Sequence, residues 1–369
     1  MSFIENLVAN VIREDIRAIS AYPVPDASGF LKLDAMENPY ELPRDLREEL
    51  AARLADAVLN RYPVASYATL KEKVSAKLGI PDGYEVLLGN GSDELIQIVT
   101  TTVANQKRRA AVLAPVPAFV MYARSAQFAG ADFVGVKLKA DFSLDMEAML
   151  AAIALHQPAL VFLAYPNNPT GNLFALEDID AIIEAVGDKG IVVIDEAYQP
   201  FAGTTLMGLV REHENVVVMR TVSKLGLAGI RLGYMTGHPL LLAEFEKVRP
   251  PYNVNVLTQV AAEFVLDHIE VLDAQAASII AERERMLPEL AALAGVEVFP
   301  SKANFIALRV PDATDVCAKL FAEKVLIKNL SKMQGPLANC IRVTVSTPEE
   351  NSAFLNALKA ALPSAPEAA

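Results

Sequence analysis

Short aliphatic and β-branched runs recur through the middle of the chain, at Ala111–Leu113, Leu160–Leu163, Ile191–Ile194 and Val216–Met219, each bounded by turn-forming residues. Between several of them the apolar positions switch to a helical period, as over Leu176–Val186. That alternation predicts an α/β fold, with a mixed, mainly parallel sheet sandwiched by helices. In such sheets ligands sit at the carboxyl ends of the strands. Helices are also predicted over Arg47–Leu59 and Tyr67–Leu78. Pro250-Pro251 interrupts the chain after the last core-like segment, and a long helical pattern runs from Val256 to Ala294. Shorter strands at Phe305–Val310 and Ile341–Val345 and a final helix from Pro348 follow. The expected division is a large domain over 46–267 and a smaller, discontinuous α+β domain made of 1–45 and 268–369. An Ala/Pro-rich tail begins at Pro363.

Composition adds exclusions. With 369 residues, 53% of them hydrophobic, the chain can bury a sizeable core. A net charge of −12 argues against non-specific nucleic-acid binding, which needs Lys and Arg on phosphates. It leaves room for an anion in a pocket defined by a few cations. Cys317 and Cys340 could form one disulfide but no framework, which fits a reducing compartment. His156, His213, His238 and His268 are scattered, so no metal site is expected. Glu5, Arg13, Glu14, Asp15 and Arg17 interrupt any signal-peptide core near the start. The longest apolar stretch, Met149 to Tyr165, is broken by His156, Gln157 and Pro158, too interrupted to cross a bilayer. A cytoplasmic protein without membrane partners is expected.

Candidate chemistry clusters just past the predicted strands. Lys224 lies in Thr221-Val222-Ser223-Lys224, beyond the run at Val216–Met219. A lysine amine condenses with an aldehyde cofactor to an imine, and desolvation or nearby cations make it a useful base near neutral pH. The bland alternative is a surface lysine. Ser223 and Arg231 flank it and suit a phosphate. The strand Ile191–Ile194 delivers Asp195, followed by Glu196-Ala197-Tyr198. An acid there can hold a pyridine nitrogen protonated, and Tyr198 can reach a phenolic ring oxygen. The bland alternative for Asp195 is a helix cap. Tyr165-Pro166-Asn167-Asn168-Pro169-Thr170-Gly171 is a turn by composition, yet Asn168 can donate to a ring oxygen or a substrate anion. Gly89-Asn90-Gly91-Ser92-Asp93-Glu94 opens a helix and presents N–H groups to an anion. Glu94 stands where a dinucleotide fingerprint needs glycine. Phe119, after Pro117-Ala118, can stack on a flat cofactor or serve as core.

In this order and at these spacings, the pieces Asn167-Asn168-Pro169-Thr170-Gly171, Asp195-Glu196-Ala197-Tyr198 and Thr221 to Tyr234 resemble the fold-type-I pyridoxal-phosphate (PLP) aminotransferases over about Tyr22 to Glu350. Within that group the chain looks like the histidinol-phosphate aminotransferase family. The pointers are Ala21-Tyr22-Pro23, Leu33 to Pro39, Asn60-Arg61-Tyr62-Pro63, Gly91 to Leu95, and Cys340-Ile341-Arg342. The resemblance implies PLP bound to Lys224, which moves the proton between substrate Cα and cofactor C4′. It implies Asp195 on the pyridine nitrogen, and Tyr198 and Asn168 on the ring oxygen. The Ser92 and Asp93 backbone, Ser223 and Arg231 would hold the phosphate, with Tyr62 reaching it from the other subunit of a homodimer. Arg342 would receive the substrate anion and Tyr22 would close over it. The implied substrates are a phosphorylated amino alcohol, L-histidinol phosphate, and 2-oxoglutarate with glutamate as product, in histidine biosynthesis. Three positions depart from the pattern: Phe119 replaces the usual Tyr, Lys328 a second substrate-binding Arg, and Met36 a common Asn. An aromatic or aspartate aminotransferase, a threonine-phosphate decarboxylase, or a non-catalytic module on the same fold are the alternatives.

Overall fold

The structure, a computed structural model, describes residues 2–104, 110–333 and 335–363. The tail expected from Pro363 onward lies outside the described residues apart from Pro363 itself. In chain order the strands are β1 (Leu31–Lys32), β2 (Leu87–Asn90), β3 (Ala111–Val116), β4 (Asp132–Lys137), β5 (Leu160–Ala164), β6 (Ile191–Asp195), β7 (Val216–Thr221) and β8 (Leu232–Gly237), then β9 (Glu297–Val298), β10 (Phe305–Arg309), β11 (Val325–Leu326), β12 (Lys328–Asn329) and β13 (Cys340–Thr344).

β2 to β8 form one seven-stranded sheet in the order β2-β8-β7-β6-β5-β3-β4. β3 to β7 pair in parallel, and β8 runs antiparallel to both of its neighbours. Both faces are covered. Along the central strands successive side chains alternate between faces: Val161, Leu163, Val192, Ile194, Val216 and Val218 join one core with Ile179 and Ile183 of helix Leu176–Val186. Leu160, Phe162, Val193, Val217 and Met219 join the other, with Leu95 and Val99 of helix Gly91–Val103. β2, β4 and β8 carry glycines and lack a long aliphatic run, so no sequence pattern marked them. Met149 to Tyr165 is divided between helix Met146–His156 and β5. No helix among the described residues is long and apolar enough to cross a membrane.

A second sheet, β12-β13-β10-β9, is antiparallel throughout. Its core uses Val316 and Leu320 of helix Ala313–Ala322, Phe354 and Leu358 of helix Pro348–Ala361, and Ile279 and Met286 of helix Ile269–Ala291. β1 pairs in parallel with β11 and so ties the N-terminal segment to this C-terminal part. The pattern expected as one helix from Val256 to Ala294 is two, Val256–Asp267 and Ile269–Ala291, because His268 leaves helical geometry at φ −119°, ψ 34°. The early helices begin and end at Arg44–Ala55 and Ala68–Lys77. Cys317 and Cys340 are both free thiols.

Candidate active site

Register brings the carboxyl ends of three central strands together. Asp195, the last residue of β6, lies beside Ala164 of β5 and Met219 of β7. The chain beyond β5 reaches Asn168, and beyond β7 it reaches Ser223 and Lys224. A cleft at this edge is lined by Ser92, Asp93, Phe119, Asn168, Asp195, Tyr198, Ser223, Lys224 and Arg231, all named from the sequence. Met36 and Tyr122 also line it.

One end gathers groups that can donate to an anion. Helix Gly91–Val103 starts without a side-chain cap, since Asn90 turns its amide to the Asn253 carbonyl instead. The first-turn N–H groups are thus left for a ligand. Gly91 has φ +74°, and a Cβ there would meet the Arg231 guanidinium at 2.7 Å. A Cβ on Gly233 would lie 2.6 Å from the Gly91 backbone. The glycines therefore let β8 and its arginine close on the helix start. Arg231 donates to Ser223 Oγ at 3.4 Å and lies 3.6 Å from Asp93.

In the middle, Lys224 Nζ donates to the Ala35 carbonyl at 2.9 Å. Burial first, then the charge of Arg342, lowers its pKa to about 8. Asp195 is buried, which raises its pKa to about 6, while hydrogen bonds from Tyr122 and the Ala197 N–H pull it back. Tyr122 OH donates to Asp195 Oδ2 at 2.6 Å, and Ala197 N to Oδ1 at 3.0 Å. Sequence reading missed Tyr122. Its signal was position: it lies one turn after Phe119 on helix Val120–Ala129, whose start borders the cleft.

At the other end, Asn168 donates to Tyr198 OH at 3.0 Å and accepts from Arg342 Nη1 at 2.6 Å. Arg342 Nη2 donates to the Asp34 carbonyl at 2.9 Å. Arg342 sits mid-strand in β13 rather than at a strand start, directly opposite Lys328. Opposed residues of an antiparallel pair share a face, so the two cations converge. Among the described residues neither forms a salt bridge. Lys328 Nζ lies 5.9 Å from the Tyr22 ring centroid, and the Arg124 guanidinium carbon 5.5 Å from it. Arg124 also donates to the Ser20 carbonyl at 3.3 Å, tying the strap that bears Tyr22 to the helix of Phe119 and Tyr122. Met36, at φ +55°, is held through its backbone by Thr344 and Asn304. Tyr62 is not brought to this cleft: it is 80% exposed and stacks on Tyr252, with ring centroids 4.7 Å apart.

The family model for aminotransferase class I and II matches residues 28–358. Histidinol-phosphate aminotransferase 1 of Ralstonia nicotianae is 58% identical over 366 residues, covering 98% of this chain and 97% of that protein. Histidinol-phosphate aminotransferase 2 of Cupriavidus pinatubonensis is 59% identical over 360 residues, covering 97% and 98%. Among solved structures, the histidinol-phosphate aminotransferase of Sinorhizobium meliloti in complex with pyridoxal-5'-phosphate superposes with a TM-score of 0.83 at 24% identity, over 96% of each chain. At that identity the superposition establishes the shared fold. The family-model match and the near-full-length identity place this chain in the aminotransferase class I and II family, among the histidinol-phosphate aminotransferases.

Proposed function

We propose that this chain transfers an amino group from L-histidinol phosphate to 2-oxoglutarate, giving imidazole acetol phosphate and glutamate, in the cytoplasm and as a homodimer. Its cofactor is pyridoxal 5'-phosphate, and the cleft fits that molecule: an uncapped helix start beside Arg231 for a phosphate, a buried carboxylate at mid-cleft, and a desolvated amine. When bound, this cofactor supplies an electron sink for the bond broken at the substrate Cα. Lys224, partly neutral near pH 8, takes the Cα proton and returns it at C4′. Asp195 holds the proton on the ring nitrogen. Tyr198 and Asn168 orient the ring oxygen, and Phe119 covers a ring face. Ser92, Asp93, Ser223 and Arg231 retain the phosphate, joined by Tyr62 of the second subunit. Tyr22 closes over Arg342 and Lys328. Residues 46–267 are the cofactor-binding domain, and 1–45 with 268–369 the domain that presents the two cations.

The observation that carries the substrate reading is the cross-strand pair Lys328–Arg342, neither member of which forms a salt bridge among the described residues. Two converged cations suit a phosphate dianion in one half-reaction and a distal carboxylate in the other. An apolar side chain gains nothing from the second cation. The test compares histidinol phosphate, histidinol, aspartate and phenylalanine as donors to 2-oxoglutarate. Histidinol phosphate should have the highest kcat/KM. Removing its phosphate should cost roughly ten- to a hundredfold, as for loss of a hydrogen bond to a charged group. A faster rate with aspartate or phenylalanine would refute the substrate while leaving the aminotransferase intact.

A further inference from the structure

Tyr122 is 1% exposed, and its ring is already fully used for packing: it stacks on Phe162, centroids 4.4 Å apart and 3° from parallel, with Phe119 edge-on at 5.8 Å. Phenylalanine would fill the same space, so packing gives no reason for the hydroxyl. Among the described residues that hydroxyl has one partner, Asp195 Oδ2, at 2.6 Å. Oδ1 is held by the Ala197 N–H. Donors from two different elements therefore fix the carboxylate plane, and each favours its charged form against the burial that disfavours it.

A carboxylate that accepts hydrogen bonds is a weaker base than a bare one in the same apolar site. When such a carboxylate shares a proton with a pyridine nitrogen, the proton resides with the stronger base. We infer that Tyr122 is a positioning residue for the cofactor, whose hydroxyl lowers the basicity of Asp195 and thereby keeps the shared proton on the ring nitrogen. The inference rests on reading Asp195 as the partner of that nitrogen. Only the position of one proton changes; Tyr122 keeps its own and acts as a donor throughout, since burial and the charge of Asp195 hold its pKa well above the usual tyrosine value.

The test uses Tyr122→Phe, with wild type and Asp195→Ala beside it, each stripped of cofactor and reloaded with pyridoxal phosphate carrying ¹⁵N in the ring. The ¹⁵N chemical shift reports ring protonation directly. Tyr122→Phe should fold, since its ring packing is kept, and its ring-nitrogen signal should move toward that of unprotonated pyridine. The cofactor Kd should rise, and kcat should fall, by roughly tenfold each, with donor KM little changed, as expected for loss of one hydrogen bond to a charged group. A ring-nitrogen signal that stays at the wild-type position in Tyr122→Phe, while Asp195→Ala displaces it, overturns the inference whatever happens to kcat. If the signal stays put in Asp195→Ala as well, the assignment of Asp195 itself fails.

Discussion

Lys224 occupies a site whose electrostatics oppose its charge. Its amine is desolvated, and Arg342 adds a like charge. The neutral amine is the form that attacks an aldehyde, so the pH dependence has a definite sign. Covalent capture of pyridoxal phosphate by the cofactor-free protein should accelerate as pH rises through about 8 and level off above it. A solvated lysine would keep accelerating to about 10.4. Stopped-flow absorbance at a series of pH values distinguishes the two. Lys224→Ala should still retain cofactor at the phosphate end, yet borohydride should fix none of it to the protein, and transamination should fall by orders of magnitude. Persistent activity in that variant would remove Lys224 from the chemistry. The position of Lys224 was legible in the sequence through its neighbours: the run before it marks a strand end, and Ser223 and Arg231 line the same cleft. Tyr122 was not, because a tyrosine inside an apolar helix face carries no mark of what its hydroxyl touches. Its partner lies 73 positions away.

The ends of β6 and β7 are locked to each other just behind the cleft. Glu196, fully buried, pairs with Arg220 at 2.8 Å and also accepts from Thr205 Oγ1 and the Leu206 N–H. Arg220 in turn donates to the Leu78 carbonyl, which joins the lock to the end of helix Ala68–Lys77. Removing one partner of a buried pair strands the other charge. Glu196→Ala should therefore lose about 3–5 kcal/mol of stability, read from denaturant midpoints. It should also weaken cofactor binding, because Asp195 is the preceding residue on the same strand end. A loss below about 1 kcal/mol would mean that water reaches Arg220 and that the lock is loose. Elements with a strong local signature could be read from sequence. Helix Leu176–Val186 came out with the bounds the pattern gave it, and the four aliphatic runs all became central strands. β8 could not be read, since Gly233 is there to admit the Gly91 backbone rather than to favour a strand. The convergence of Lys328 and Arg342 depends on the register of β12 on β13, which a single sequence does not display.

At the scale of the whole molecule, substantial apolar surface is left uncovered. Helix Phe3–Val11 buries none of its residues and exposes Phe3, Leu7 and Val11. Leu59, Tyr62, Val64 and Tyr252 are exposed near one another around the Tyr62–Tyr252 stack. Apolar surface of this kind marks interaction sites, and a two-fold homodimer is the commonest way to cover it. On the proposed sharing of Tyr62 between subunits, mixing inactive Lys224→Ala with impaired Tyr62→Ala protein, after dissociation and reassociation, should restore activity. The ceiling is about a quarter of wild-type sites, because half of the dimers are mixed and each mixed dimer has one intact site. Activity no greater than the sum of the separate variants would place Tyr62 outside its neighbour's site, and an active monomer by sedimentation would dismiss the dimer altogether. On the proposed seating of both substrates at Lys328 and Arg342, their pairing has a further effect on turnover. Because a single pair of cations must receive first one anion and then the other, the two proposed substrates are rivals as well as partners. A molecule that arrives during the wrong half of the cycle occupies the seat without being able to react. Surplus of either one then slows the enzyme, and output is fastest where the two are supplied in balance.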